Sequence, residues 1–314
     1  MQQCYFVCML KENISLKTLT SFQIGGLARY FWPAEGAIDI KSAIEWAKGK
    51  GLPFFILAGG SNLLVADQGF EGLIIKLQTT NYKLQTNIVH CQAGVKLSDL
   101  VKLSLDQGLS GLEWASGIPQ ATVGGAIWGN AGAFGRNMAS VVSEVEVMEA
   151  QNAKRKVKSY QNKECGFAYK DSIFKQNKNL IILSADLVLE KKNKQEVKEE
   201  VKKVLQYRKD HHPSQPSAGS VFQNIKDKKI ISSRPEFAVF QERKEIPAGW
   251  LIEQCGLKGK TIGGAQISTK HTNFIVNTGK AQASDVKQLI SSAKQAVWQK
   301  FAITLEEEIQ YLGF

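Results

Sequence analysis

The stretch from Arg29 to Asn62 constrains the chain most. RYFW reads as a short strand, and Ile40, Ala43, Ile44 and Ala47 then recur at helical spacing until Gly49 and Gly51. FFILA follows as a second strand and runs straight into the turn GGSN. A β-α-β opening of this kind confines the chain to folds that alternate helix and strand. LLVAD, GLIIKL and NIVHCQAGV continue the pattern as strands, and LSDLVKLSLDQG as an amphipathic helix. Further on, SEVEVMEA and LIILSADLVLE read as strands, and Lys194 to Lys209 mixes Lys and Glu as a solvated helix does. Pro213 and Pro216 mark a boundary. Beyond it Val286, Leu289, Ile290, Ala293 and Val297 predict a helix, and ITLEEEIQYLG a closing strand.

At 314 residues, 43% of them hydrophobic, the chain is too long for one compact domain of ordinary size. Two or three lobes are expected, and a division into three falls at 1–80, 81–209 and 210–314. The net charge of +11 suits anionic partners: nucleic acid, an acidic membrane surface or small phosphorylated ligands. Lys and Arg are dispersed among Asp and Glu with no recognisable nucleic-acid module, so nucleic acid is not expected. Five cysteines, Cys4, Cys8, Cys91, Cys165 and Cys255, are odd in number and show no metal-ligand spacing, which reads as reduced thiols and no metal. The N-terminus lacks a basic region and meets Lys11 and Glu12 too early for a signal peptide, while no apolar run is long enough for a membrane span. A soluble, cytoplasmic protein without membrane association is expected.

Four Gly-Gly pairs occur, in QIGG, LAGGSN, TVGGA and TIGGAQ. LAGGSN follows a predicted buried strand, where backbone N–H groups can hold a phosphate and a ligand can approach closely. It is neither G-x-G-x-x-G nor a P-loop. GIPQATVGGAIWGNAGAFG is a second such stretch, read as a loop between strands. Two such loops suit a cofactor with a pyrophosphate. Ser220, in PSAGSVFQN, is not the serine of a nucleophile elbow, because Ala218 and Phe222 stand where that turn needs glycine. His90 falls in a predicted strand and reads as core, and the pair His211–His212 has no metal-ligand company.

In order along the chain, LAGGSNLLVAD, GLEWASGIPQATVGGAIWGNAGAFG, YKDSIF, PSAGSVFQN, AGWLIEQCGLKG with IGGAQISTKHTNFIVN, and LEEEIQYLG resemble the motifs of the UDP-N-acetylenolpyruvoylglucosamine reductase family. The resemblance runs from about Thr20 to Gly313 and points to the family's shorter, second type, since the segment from Lys170 to Ser220 has no room for the extra loop of the other branch. It implies an α+β protein with the two-lobed FAD-binding fold of the vanillyl-alcohol oxidase and p-cresol methylhydroxylase type, followed by a C-terminal α/β substrate-binding domain. It also implies a flavoenzyme of peptidoglycan precursor synthesis that holds FAD non-covalently and takes NADPH and UDP-N-acetylglucosamine enolpyruvate as small-molecule substrates, with no obligate protein partner.

By the same resemblance Gly59, Gly60, Ser61 and Asn62, with Thr122, Val123, Gly124 and Gly125, would cradle FAD. Ser220 matches the proton donor and Glu308 the catalytic glutamate, whose carboxyl would help best if protonated. Lys170, after Tyr169 in YKDS, stands where the family has arginine; lysine keeps the charge and loses the bidentate grip on a carboxylate. Tyr169, Arg208, Asn224, Lys258 and His271 match substrate-contacting positions. Gln223 and Ile225 depart from the usual lysine and proline, and GIPQAT is one residue longer than the usual form. The competing reading, a flavin-linked oxidase or dehydrogenase of a small alcohol or lactone on the same fold, sits poorly with PSAGS and LEEEI.

Overall fold

The computed structural model describes residues 9–150 and 157–314, so Cys4 and Cys8 lie outside the described residues. The chain forms two compact units. One takes Leu27–Gly60 and Phe70–Arg208 with residues 9–14; the other takes Ser15–Gly26, Ser61–Gly69 and Lys209–Phe314.

The first unit holds two sheets. In the smaller one, Leu27–Ala34 and Phe54–Leu57 lie parallel to Phe70–Leu77 between them, with Lys11–Ser15 at the edge. Ala37–Gly49 makes the helical connection of the β-α-β opening, and Ile40, Ala43, Ile44 and Ala47 form its buried stripe as their spacing predicts. The second sheet is antiparallel, in the order Val157–Gln161, Val142–Glu149, Leu180–Val188, Ile88–Gln92, Tyr82–Gln85. The helices Leu97–Gln107 and Val123–Trp128 belong to this unit, and its core runs through Trp32, Ile75, Val101, Trp114, Val145 and Leu187. Lys194–His211 is helical; polar on most sides, it still buries Val197, Val201 and Val204.

The second unit is built on an antiparallel sheet of Ser217–Ser220, Phe274–Asn277, Ala265–Ile267 and Thr261–Ile262. The helix Ala283–Phe301 buries Val286, Leu289, Ile290, Ala293 and Val297 in the core of this unit, as predicted. Leu63–Val65 pairs in parallel with Gln310–Leu312. Among the described residues no helix is long and apolar enough to cross a membrane.

Three expectations change. The closing strand is confined to Gln310–Leu312, because residues 306–308 make only isolated backbone bonds to the chain after Ser220 and not a continuous ladder. The glycine-rich stretch from residue 117 to 135 is no open loop, since Val123–Trp128 winds into a helix that contains Gly124 and Gly125. His90 is not core. In its strand Val89 and Cys91 point inward, so the side-chain alternation turns His90 outward, where Nδ1 meets Asp186 Oδ1 at 2.6 Å on the neighbouring strand.

Candidate active site

The first unit carries the glycine-rich cradle. Gly60 has φ of +71°, a left-handed conformation open to glycine, and a Cβ on Gly59 would overlap the carbonyl of Gln120. The turn after Phe54–Leu57 therefore packs directly on the segment that leads into Thr122. Among the described residues the amides of Gly59 and Gly60 bond to no protein acceptor. On the facing segment the Val123 and Gly124 amides are already taken, by the carbonyls of Val95 at 2.9 Å and Ala93 at 2.8 Å. Unbonded donors thus remain at the first loop and not at these two residues, whose part is close packing: a Cβ on Gly124 would stand 2.8 Å from that of Ala93, and one on Gly125 3.2 Å from that of Ala58. Among the described residues Thr122 Oγ1, which is buried, has no hydrogen-bond partner.

Tyr169 and Lys170 form the tip of a tight turn closed by the mutual backbone bonds of Ala168 and Asp171. Lys170 has φ of +56°, uncommon for a residue with a side chain. The turn is tied to the end of the helix Val123–Trp128 through Ser172 Oγ on the Trp128 carbonyl at 2.8 Å and Asn130 Nδ2 on the Ala168 carbonyl at 2.8 Å. A second cation, Lys175, donates to the Lys170 carbonyl at 2.7 Å and lies over the Trp128 ring. Arg208 donates to the Trp114 carbonyl at 3.0 Å with its guanidinium over Phe134.

In the second unit the fold brings Ser220 and Glu308 onto neighbouring extended segments. Ser220 ends its strand opposite Phe274. The next residue, Val221, accepts from the Glu308 amide at 2.7 Å and donates to the Asn273 carbonyl at 2.8 Å. Asn273 goes further: its Oδ1 accepts from the Phe222 amide at 3.0 Å and its Nδ2 donates to the Phe222 carbonyl at 2.8 Å, so a buried side chain stands in for one rung of a strand. Asn62 donates from Nδ2 to the Glu308 carbonyl at 3.0 Å, and its own carbonyl accepts from the Gln310 amide. The neighbouring carboxyl, Glu307, is pushed up by burial, but hydrogen bonds from Lys294 and Tyr311 outweigh this and hold it below the usual carboxylate range.

The remaining candidates are braced by neighbours. Asn224 donates to Glu245 and accepts from the Ala248 amide, and Lys258 pairs with Glu253 at 2.8 Å. His271 accepts at Nδ1 from the Asn273 amide at 3.2 Å, which leaves Nε2 to carry the proton of the neutral ring. Burial, and then the charge of His211, lower its pKa. Its ring lies 5.6 Å from that of His212, so the histidine pair joins this cluster. Asn273, Lys175 and the Lys294–Glu307–Tyr311 group escaped sequence reasoning. For Asn273 the signal was a second asparagine four residues before Asn277 in TNFIVN.

Residues 211–312 match the C-terminal domain of UDP-N-acetylenolpyruvoylglucosamine reductase, and residues 29–154 match an FAD binding domain. Reductases of that name from Caldanaerobacter subterraneus and Synechococcus sp. (strain JA-3-3Ab) are 38% and 35% identical, over 96% and 97% of this chain and 93% and 91% of theirs. The chain belongs to the UDP-N-acetylenolpyruvoylglucosamine reductase family. The crystal structure of the reductase from Thermus caldophilus superposes with a TM-score of 0.77 at 33% identity, over 96% of this chain and 99% of that one. For an FAD-binding family the cradle has the right chemistry. It offers unbonded amides at Gly59 and Gly60, an orphaned hydroxyl at Thr122, and glycines at positions a Cβ would fill.

Proposed function

We propose that this chain is an NADPH-dependent, FAD-containing reductase that converts UDP-N-acetylglucosamine enolpyruvate to UDP-N-acetylmuramate for peptidoglycan synthesis, working in the cytoplasm on small-molecule substrates. The observation that carries the reading is the bond from the Glu308 amide to the carbonyl of Val221, which sets the family's glutamate position beside its serine position across 88 residues of chain. Gly59, Gly60 and the Thr122–Gly125 segment would hold FAD, which would supply the hydride for the enolpyruvyl double bond at the expense of NADPH. That addition leaves carbanion character on the carbon next to the substrate carboxylate.

Ser220 Oγ donates the proton that this carbon needs. A serine hydroxyl is a weak acid, but the carbanion is a far stronger base than the alkoxide it leaves. Glu308 stabilises the developing enolate by hydrogen bonding, and Lys170 supplies positive charge to the substrate carboxylate. The point charge of a lysine positions a carboxylate less firmly than an arginine fork. Lys175, anchored to the same turn, adds a second cation near Lys170. Tyr169, Arg208, Asn224, Lys258 and His271 bind the UDP-sugar, with His271 presenting Nε2–H as a donor.

Anaerobic titration of the purified flavoprotein tests the reading. NADPH is expected to bleach the flavin absorbance, and the enolpyruvyl UDP-sugar to restore it. Bleaching without restoration by that sugar would leave the oxidase or dehydrogenase of a small alcohol as the better account.

A further inference from the structure

Lys76 has no role in the scheme above. It lies at the C-terminal end of the parallel strand Phe70–Leu77, in register with Leu57 at the end of Phe54–Leu57. Ligands of parallel α/β arrangements gather at this end of the strands. Its Nζ donates to the carbonyl oxygen of Ala58, the residue that leads into Gly59 and Gly60. The ammonium is largely withdrawn from water, and among the described residues no carboxylate pairs with it. The charge it does feel is a like one, from Lys96, whose backbone bridges to Thr122. Burial first, and Lys96 second, lower the amine to about 8.

A cation withdrawn from water beside a second cation, with no pairing carboxylate among the described residues, costs folding free energy that one carbonyl hydrogen bond offsets only in part. The same few residues hold the unbonded amides of Gly59 and Gly60 and the orphaned hydroxyl of Thr122. All these groups favour an anion, and all belong to one unit. We propose that Lys76, backed by Lys96, is the counter-charge for the diphosphate of FAD, coupled to the Gly59–Gly60 turn through the Ala58 carbonyl. This rests on the cofactor assigned under the proposed function. It adds a binding residue that lies outside the glycine motifs.

The test compares the full chain with Lys76→Met, each freed of flavin and titrated with FAD, and each melted without flavin. Lys76→Met is expected to weaken FAD binding roughly 10- to 150-fold, the reach of one hydrogen bond to a charged group. The flavin-free variant is expected to melt at a higher temperature than the flavin-free parent, because an unpaired buried charge has been removed. A lysine needed only for structure would instead lower melting. Unchanged FAD affinity, or a flavin-free variant that melts lower or fails to fold, overturns the proposal. A parent chain that binds no FAD at all sinks the cofactor assignment itself.

Discussion

The glycine-rich cradle and the Ser220–Glu308 segment treat polar groups in opposite ways. Around Gly59 and Gly60 the described residues leave the two amides and the Thr122 hydroxyl without hydrogen-bond partners and the Lys76 ammonium without a counter-charge. Around Ser220 and Glu308 the neighbouring backbone groups are bonded: Asn273 serves both polar groups of Phe222, Asn62 serves Glu308, and Val221 is bonded at both its amide and its carbonyl. The contrast separates two tasks. A surface that waits for an anion keeps donors in reserve, whereas a segment that must aim one hydroxyl spends its donors on holding itself still.

Substitutions at three positions can break or sharpen this contrast. Ser220→Ala should slow reoxidation of the reduced flavin by the UDP-sugar by about 10²- to 10⁴-fold, the usual reach of one positioned acid, and leave flavin reduction by NADPH nearly unchanged. Stopped-flow absorbance reads both halves, and equal slowing of the two would remove the proton-donor role. Gly59→Val forces a side chain into the Gln120 carbonyl and should cost about 1–3 kcal/mol of stability, with protein purified largely free of flavin. A variant with full flavin occupancy would show that the close packing of the two segments is dispensable. Asn273→Ala should have the smallest effect, about a tenfold drop in kcat with KM within about threefold, since two hydrogen bonds of ~1 kcal/mol each are lost and Ser220 is loosened but not removed. Asn273→Asp, which keeps the acceptor for the Phe222 amide, should recover part of it. If NADPH oxidation and sugar reduction fall together in Asn273→Ala, the residue supports the fold and does not aim Ser220.

What the sequence revealed followed the range of the forces involved. The helices Ala37–Gly49 and Ala283–Phe301 were readable because burial every three or four residues leaves its pattern in a short window. Ser220, Glu308 and the glycine loops were readable through motifs. The period-two alternation that places His90 outside was also present, in Val89 and Cys91, and His90 was assigned to the core against it. Lys76 could not be read. In GLIIKL it looks like the polar residue of an alternating strand, and only the approach of Ala58 and Lys96 makes it unusual. The Asn273 and Asn62 side chains act on residues 51 and 246 positions away, separations at which a single sequence carries no local signal.

The second unit is sewn from three stretches of chain, and its parallel pair joins Leu63–Val65 to Gln310–Leu312. That pairing ties assembly to synthesis. While the ribosome is still short of residue 312, Leu63–Val65 has an unpaired edge, and neither the Asn62 contact nor the strand that follows Glu308 can form. The first unit has received all of its residues by Arg208, more than a hundred residues earlier, and can fold as it emerges. Contacts spanning some 250 residues are slow to close because loop entropy is lost before any bond repays it. The nascent protein therefore completes the unit that holds Gly59, Gly60 and Thr122 first, and the pairing of Leu63–Val65 with the strand that follows Glu308 is among the last to close.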